Sequence, residues 1–172
     1  ILMMFAAYVM AMNNPLFSII VPVYNVEPFI RGTLDSIYKQ GVDENLFEVI
    51  VVNDGTPDNS MAIVEMFADA HTNLAIINQK NQGLSAARNS GIKVAKGDYI
   101  WVVDSDDSIT ENSISQALGE ITHHPYVEMF CFDLNEQRGD NFTRTTLFSK
   151  PSYCRYYGEE HDGYFYCRKL PT

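Results

Sequence analysis

Three features of the sequence predict an α/β domain with a Rossmann-like, mostly parallel sheet flanked by helices. Apolar runs of strand length alternate along the chain with segments whose apolar residues recur at helical spacing. The runs are rich in Val and Ile with little polar alternation, as expected of strands buried on both faces. Three of them stop abruptly at Asn25, at Asn53-Asp54-Gly55 and at Asp104, and in open α/β sheets ligands bind outside the carboxyl ends of the strands. Such alternation implies right-handed crossovers between parallel strands.

The elements follow in order. Leu16 to Tyr24 is the first apolar run, and Glu27 to Gln40 carries Phe29, Ile30, Leu34, Ile37 and Tyr38 at helical spacing before Gly41 closes it. Phe47 to Val52 is the second strand. Asp58 or Asn59 is expected to cap a helix with Ile63, Val64, Met66 and Phe67 on one face. Leu74 to Ile77 is a third short strand, and Ser85 is the expected cap of a helix running to about Ala95, with Gly97 ending it. Tyr99 to Val103 is a buried strand entered from a turn, and Glu111 to Thr122 a helix. Further on the pattern weakens, with strands expected at Val127 to Phe132 and Thr143 to Phe148.

A chain of 172 residues with 46% apolar and 20% charged residues has room for one sizeable core and hardly for two. Twelve basic against 22 acidic residues give a net charge of −10, which argues against a nucleic-acid partner. Cys131, Cys154 and Cys167 form neither a disulfide framework nor a CxxC pair, so a reduced, cytoplasmic protein is expected. Cys154, His161 and Cys167 have no recognised zinc spacing. Residues 1–12 are apolar and uncharged, too short to span a bilayer and without a basic leader region. They fit a truncated membrane segment, a surface anchor or an over-extended reading frame, and a start at Met12 is the reading favoured here.

The expected organisation is therefore an extension at 1–12, a ligand-binding domain at 13–132 and a partial region at 133–172. Five of the ten tyrosines lie between Tyr153 and Tyr166, lining either a groove for a second substrate or a core.

Asp104, Asp106 and Asp107 fall within four residues directly after a strand. Carboxylates this close repel one another unless a cation sits between them, and hard divalent ions such as Mg²⁺ or Mn²⁺ take oxygen ligands. The alternative is a solvated loop in which Asp107 or Ser108 caps the next helix. A phosphoacceptor receiver domain also gathers Asp residues at strand ends, but it needs a Lys there, and these strand ends supply none.

The segments FSIIVPVYNVEPFI, FEVIVVNDGTPDNS, NQGLSAARNSGI and GDYIWVVDSDD occur in the order and spacing of glycosyltransferase family 2 catalytic domains, which the chain resembles over residues 17 to about 115. The resemblance implies a GT-A fold whose acceptor part is truncated here. It also implies a nucleotide-diphospho-sugar donor, a glycan or lipid-linked acceptor, Mn²⁺ or Mg²⁺, inversion at the anomeric carbon, and peripheral contact with the cytoplasmic membrane face.

By the same resemblance Pro22, Tyr24, Asn25 and Glu27 surround the base and ribose. Asp54 meets the base, while Asn53 stands where the family has another Asp. Gly83 lets the backbone approach the ligand and Arg88 lies on the nucleotide side, the alternative for Arg88 being one half of a structural ion pair. DSDD matches the DXD signature, with Asp104 and Ser105 on the nucleotide-sugar and Asp106 as the metal ligand. The family's general base lies well downstream of this motif, and no stretch clearly matches it; Glu159-Glu160-His161-Asp162 is the only late acidic cluster. The base is expected beyond Thr172, and the competing expectation is a nucleotide-binding remnant without transfer activity.

Overall fold

Phe17–Val23 forms β1, and all of its residues are buried. A run of buried apolar residues without a charge belongs in the middle of a sheet covered on both faces. β1 pairs in parallel with β2 (Phe47–Asn53) on one side and with β4 (Tyr99–Val102) on the other, and β3 (Leu74–Asn78) adds in parallel to β2. The order across the sheet is β3-β2-β1-β4. The computed structural model describes residues 14–123 and the backbones of strands at 134–138, 141–145 and 167–168. The chain divides into two compact units, Ile1–Pro125 with Lys169–Thr172, and Tyr126–Arg168.

The helices are α1 (Ile30–Tyr38), α2 (Ser60–Ala70), α3 (Leu84–Val94) and α4 (Ser113–His123). Moving outward from β1 to β3 and then back to β4 with right-handed crossovers puts α1 and α2 on one face and α3 on the other. On the α3 face, Ile20, Ile50, Val52, Ala87 and Ala95 form one buried cluster. Each fully buried Ile or Val contributes about 2 kcal/mol relative to an exposed one. Small residues let α3 approach closely, for a Cβ on Gly91 would stand 2.5 Å from Cγ2 of Ile20. On the opposite face Ile30, Leu34 and Ile37 of α1 and Val64 and Phe67 of α2 are buried.

In the second unit β5 (Leu134–Arg138) and β6 (Asn141–Thr145) form an antiparallel pair, and Cys167–Arg168 is a two-residue strand, β7. β5 has no counterpart in the sequence reading, and β6 begins two residues before the expected Thr143 and covers it through Thr145. The expected strand at Val127 to Phe132, residues 1–12, the tyrosine-rich tail, the Glu159 cluster and the Cys154–His161 pair lie outside the described residues.

Several local expectations are corrected. α1 starts at Ile30 rather than Glu27, because Pro28 lies in a turn in which the Val26 carbonyl accepts from both Phe29 and Ile30 N–H. Met66 is 59% exposed: at 100° per residue, Ser60, Val64 and Phe67 define the buried stripe of α2, and Met66 falls off it. Ser85 is inside α3, whose N-cap is Gly83 at φ 86°. At α2 the cap position is Asn59, while Asp58 accepts the Ser60 N–H at 3.1 Å. Neither Asp107 nor Ser108 caps α4, which begins only at Ser113. β4 is less buried than expected, with Tyr99 the one fully enclosed residue of the four. Among the described residues, no helix is long and apolar enough to cross a membrane.

Candidate functional site

Parallel pairing fixes the rim. Val23 is level with Asn53, and β4 leaves the sheet just after Val102 pairs with Ile20. Asn25, Asp54 and the Asp104–Asp107 segment therefore emerge from three neighbouring strands at the same edge. Adjacent strands lie about 4.8 Å apart, so the exits of β2 and β4 are separated by about 10 Å. Pro22 is buried near the end of β1, beyond the last β4 pairing, where its missing N–H leaves no ladder bond open on that side.

Beyond β1 the chain turns through Asn25, which adopts a left-handed φ of 57°. This turn is buckled to the loop after β2. Asn25 N–H donates to Thr56 Oγ1 at 2.7 Å, Glu27 N–H to Asp58 Oδ2 at 2.9 Å, and Asn59 N–H to Glu27 Oε2 at 3.1 Å. Tyr24 is exposed at the rim. Asn25, Glu27, Pro28, Phe29, Asp58 and Ile63 line an open groove of about 700 Å³.

Asp54 is 3% exposed. Its Oδ1 accepts from Gln79 Nε2 at 2.7 Å and Gln82 N–H at 2.9 Å, and its Oδ2 from Gly83 N–H at 2.8 Å. Burial alone would raise the Asp54 pKa, but the bonds from Gln79, Gln82 and Gly83 outweigh it and hold the carboxyl below its ordinary range. Asp58 shows the same contest: burial opposes the charge, while bonds from Ser60, Thr56 and the Glu27 N–H lower the pKa strongly. Asn53 presents an amide at the rim, donating to Asn78 Oδ1 and accepting the Thr56 N–H.

The lowered carboxyls set an acid limit. Folded pKa values below the unfolded ones give stability that is complete above the unfolded carboxylate range and lost as pH falls through the folded values. Thermal melts are expected to hold level from neutral pH to about 5 and to fall steeply below about 4. A melting temperature unchanged down to about pH 2 would contradict this.

The carboxylate segment after β4 is a tight turn in which Asp107 N–H donates to the Asp104 carbonyl at 3.0 Å. Ser105 is 5% exposed, whereas Asp106 and Asp107 face solvent. Arg88, from the first half of α3, meets Asp104 at 2.6 Å, so the ion-pair alternative for Arg88 is realised. Among the described residues the buried Arg88 Nε has no hydrogen-bond partner. The pKa of Asp107 is raised, first by partial burial and then by the charges of Asp106 and Asp104. One guanidinium thus leaves the three carboxylates undercompensated. Among the described residues no three His, Cys, Asp or Glu side chains converge on one point. The donor set is nonetheless the hard-oxygen kind, and Mg²⁺-type sites often take only one or two protein carboxylates, completed by water and phosphate.

The sequence reading missed the residues that hold this segment. Thr33 and Ser36 of α1, and Gln40 just beyond it, drew no reading from the sequence, yet they bond to the backbone of residues 105–114. Only the helical spacing of three polar residues beside the Ile30-Leu34-Ile37 stripe could have signalled it.

A four-stranded parallel sheet with helices on both faces and polar strand exits gathered at one rim is the architecture of the GT-A glycosyltransferase fold. The chain belongs to glycosyl transferase family 2, whose model matches residues 18–169. It is 43% identical over 129 residues to the uncharacterised glycosyltransferase EpsJ of Bacillus subtilis, covering 75% of this chain and 37% of EpsJ. The structure of S. aureus TarS 1–349 in complex with UDP-GlcNAc aligns with a TM-score of 0.70 at 31% identity, over 78% of this chain and 38% of that one. A mannosyltransferase from Pyrobaculum calidifontis, solved with GDP-Man and Mn²⁺, shares the fold at TM-score 0.57 and 24% identity, over 70% of this chain and 39% of that one. The chain thus spans under two fifths of each of these three relatives.

Proposed function

We propose that this chain carries the donor-binding half of a metal-dependent, inverting glycosyltransferase, which moves a sugar from a nucleotide-diphospho-sugar, UDP-linked in the first instance, to a glycan or lipid-linked acceptor. The observation that carries the reading is the shared rim: the exits of β1, β2, β3 and β4 bring all four sequence motifs to one edge. Family membership and the UDP-GlcNAc complex of TarS support a nucleotide-sugar as the ligand.

In this reading Tyr24, Asn25 and Glu27 form the base and ribose side above Pro22. Asp54 lies beneath them, where its three internal bonds favour shaping the Gly83 loop, with one lone pair of Oδ2 left for the base. Asp104 and Ser105 belong to the ribose and sugar side, and Arg88 orients Asp104. Asp106 is exposed and holds Mn²⁺ or Mg²⁺. When bound, such a cation supplies charge compensation for the diphosphate leaving group. We assign the general base to the acceptor half, in the part of the longer relatives that this chain does not span. A cytoplasmic location with peripheral membrane contact belongs to the same proposal, since lipid-linked acceptors are presented at a membrane surface.

Calorimetric titration of UDP-, GDP- and dTDP-sugars with and without Mn²⁺ tests it. The expected result is binding of the UDP-sugar tightened about tenfold or more by Mn²⁺, equivalent to about 1.4 kcal/mol. No metal-dependent binding of any of the three would overturn the proposal.

A further inference from the structure

One polar line of α1, Thr33 and Ser36 continued by Gln40 just past the helix, faces the backbone of the carboxylate segment, while Arg31, Asp35 and Lys39 lie toward solvent. Thr33 and Gln40 are 2% and 3% exposed, levels at which polar side chains need partners. Thr33 Oγ1 donates to the Ser105 carbonyl at 2.8 Å, and Ser36 Oγ accepts the Ile109 N–H at 3.1 Å while donating to the Thr33 carbonyl. Gln40 uses its whole amide: Nε2 donates to the Ser36 and Thr110 carbonyls, and Oε1 accepts the Ile114 N–H, one of the first-turn donors of α4 that the helix itself leaves open. The three side chains follow one another at intervals of three and four residues, so they lie along one line of the helix and its closing turn.

We infer that Thr33, Ser36 and Gln40 are positioning residues that fix where Asp104, Asp106 and Asp107 stand, so that the donor site is built as much from α1 as from the strand that ends in the carboxylates. The inference rests on the proposed donor-binding role of the rim. The carboxylates repel one another, and among the described residues only Asp104 of the three is held by a side-chain ion pair, so the segment would otherwise spread outward. Contacts to its backbone within the acidic stretch, at Ser105, and after it, at Ile109, Thr110 and Ile114, set the path of the chain without occupying any carboxylate oxygen. Apart from the Asp104 oxygen that Arg88 holds, those oxygens have no partner among the described residues and stay open to a ligand. A carboxylate must be held closely to its working geometry to serve a cation or a ribose, and side chains locked by such supporting bonds supply that.

Hydrogen exchange of residues 104–110 in the full chain, with UDP-sugar binding in the presence of Mn²⁺, tests the inference on three variants. Thr33→Val keeps the shape and removes the donor, Thr33→Ser keeps the hydroxyl, and Ser36→Ala is a milder lesion should Thr33→Val fail to fold. Thr33→Val and Ser36→Ala are expected to speed exchange of residues 104–110 about tenfold, with β1 and β2 amides unchanged, and to weaken Mn²⁺-dependent binding about fivefold or more. Thr33→Ser is expected to match the parent in both. Parent-like exchange and binding in Thr33→Val and Ser36→Ala would overturn the inference, as would acceleration spread evenly across the sheet. Should the parent bind no nucleotide-sugar, the donor-binding reading falls, and the exchange data alone still decide whether α1 holds the segment.

Discussion

Gly97→Ala is expected to destabilise the domain by about 3 kcal/mol or more, a large share of the about 5–15 kcal/mol that holds a typical domain together. A Cβ at this position would lie 2.6 Å from both the Phe17 carbonyl carbon and the Ser18 nitrogen, and 2.8 Å from Ser18 Oγ. Backbone in the central strand cannot step aside as a flexible side chain would. The same turn is tied by a polar chain that runs from the core to the surface: Gly97 N–H donates to the buried Ser18 Oγ, which donates to Glu48 Oε1, and that oxygen also accepts the Lys96 N–H. Moving Gly97 outward breaks this chain as well as the start of β4. Urea unfolding of parent and variant measures the cost, and a loss under about 1 kcal/mol would show the close approach to be wrong.

Asp54→Ala is expected to cost about 3 kcal/mol and to release the loop from Gln79 to Gly83. It strands three donors that now share one buried carboxylate. Gly83 at φ 86° and the start of α3 depend on that bond, so nucleotide-sugar binding is expected to fall about tenfold along with stability. Asp54→Asn keeps one oxygen but turns an NH₂ toward an N–H donor, so it is expected to lie between the parent and Asp54→Ala. An Asp54→Ala chain as stable as the parent would assign the three bonds no structural weight.

How much of this was legible in the sequence depends on the range of the interaction. β1 and β2 announced themselves because burial on both faces demands unbroken apolar runs; β3, a half-covered edge strand, was marked by its apolar Leu-Ala-Ile-Ile run, and the ends of all three fell within a residue of expectation. The gathering of Asn25, Asp54 and Asp104 at one rim followed from topology, since parallel strands joined by right-handed crossovers all end at the same edge. What failed was local. Ser85 and Asp107 are good capping residues by type, but α3 starts earlier at a left-handed glycine and α4 starts later, beyond Asn112 at φ 62°. Composition cannot reveal that Asp54 spends its oxygens on Gln79, Gln82 and Gly83, or that Arg88 reaches Asp104, because each pairing exists only once the sheet has formed. Polar residues on a helix read as solvated by default, which is why Thr33, Ser36 and Gln40 escaped notice.

The most direct measurement of the central claim compares Asp106→Asn with Asp107→Asn and Asp104→Asn in Mn²⁺-dependent nucleotide-sugar binding. Asp106 is exposed with no hydrogen-bond partner among the described residues, so its amide variant is expected to keep the parent's stability. It removes the anionic oxygen that a hard cation prefers, and binding is expected to fall about tenfold or more. Asp107→Asn is expected to bind close to the parent and, by relieving repulsion from Asp106 and Asp104, to melt at or slightly above the parent's temperature. Asp104→Asn is expected to fall between the two. Asp107→Asn weaker than Asp106→Asn would move the metal ligand by one residue, and parent-like binding in all three would contradict a donor site at this rim.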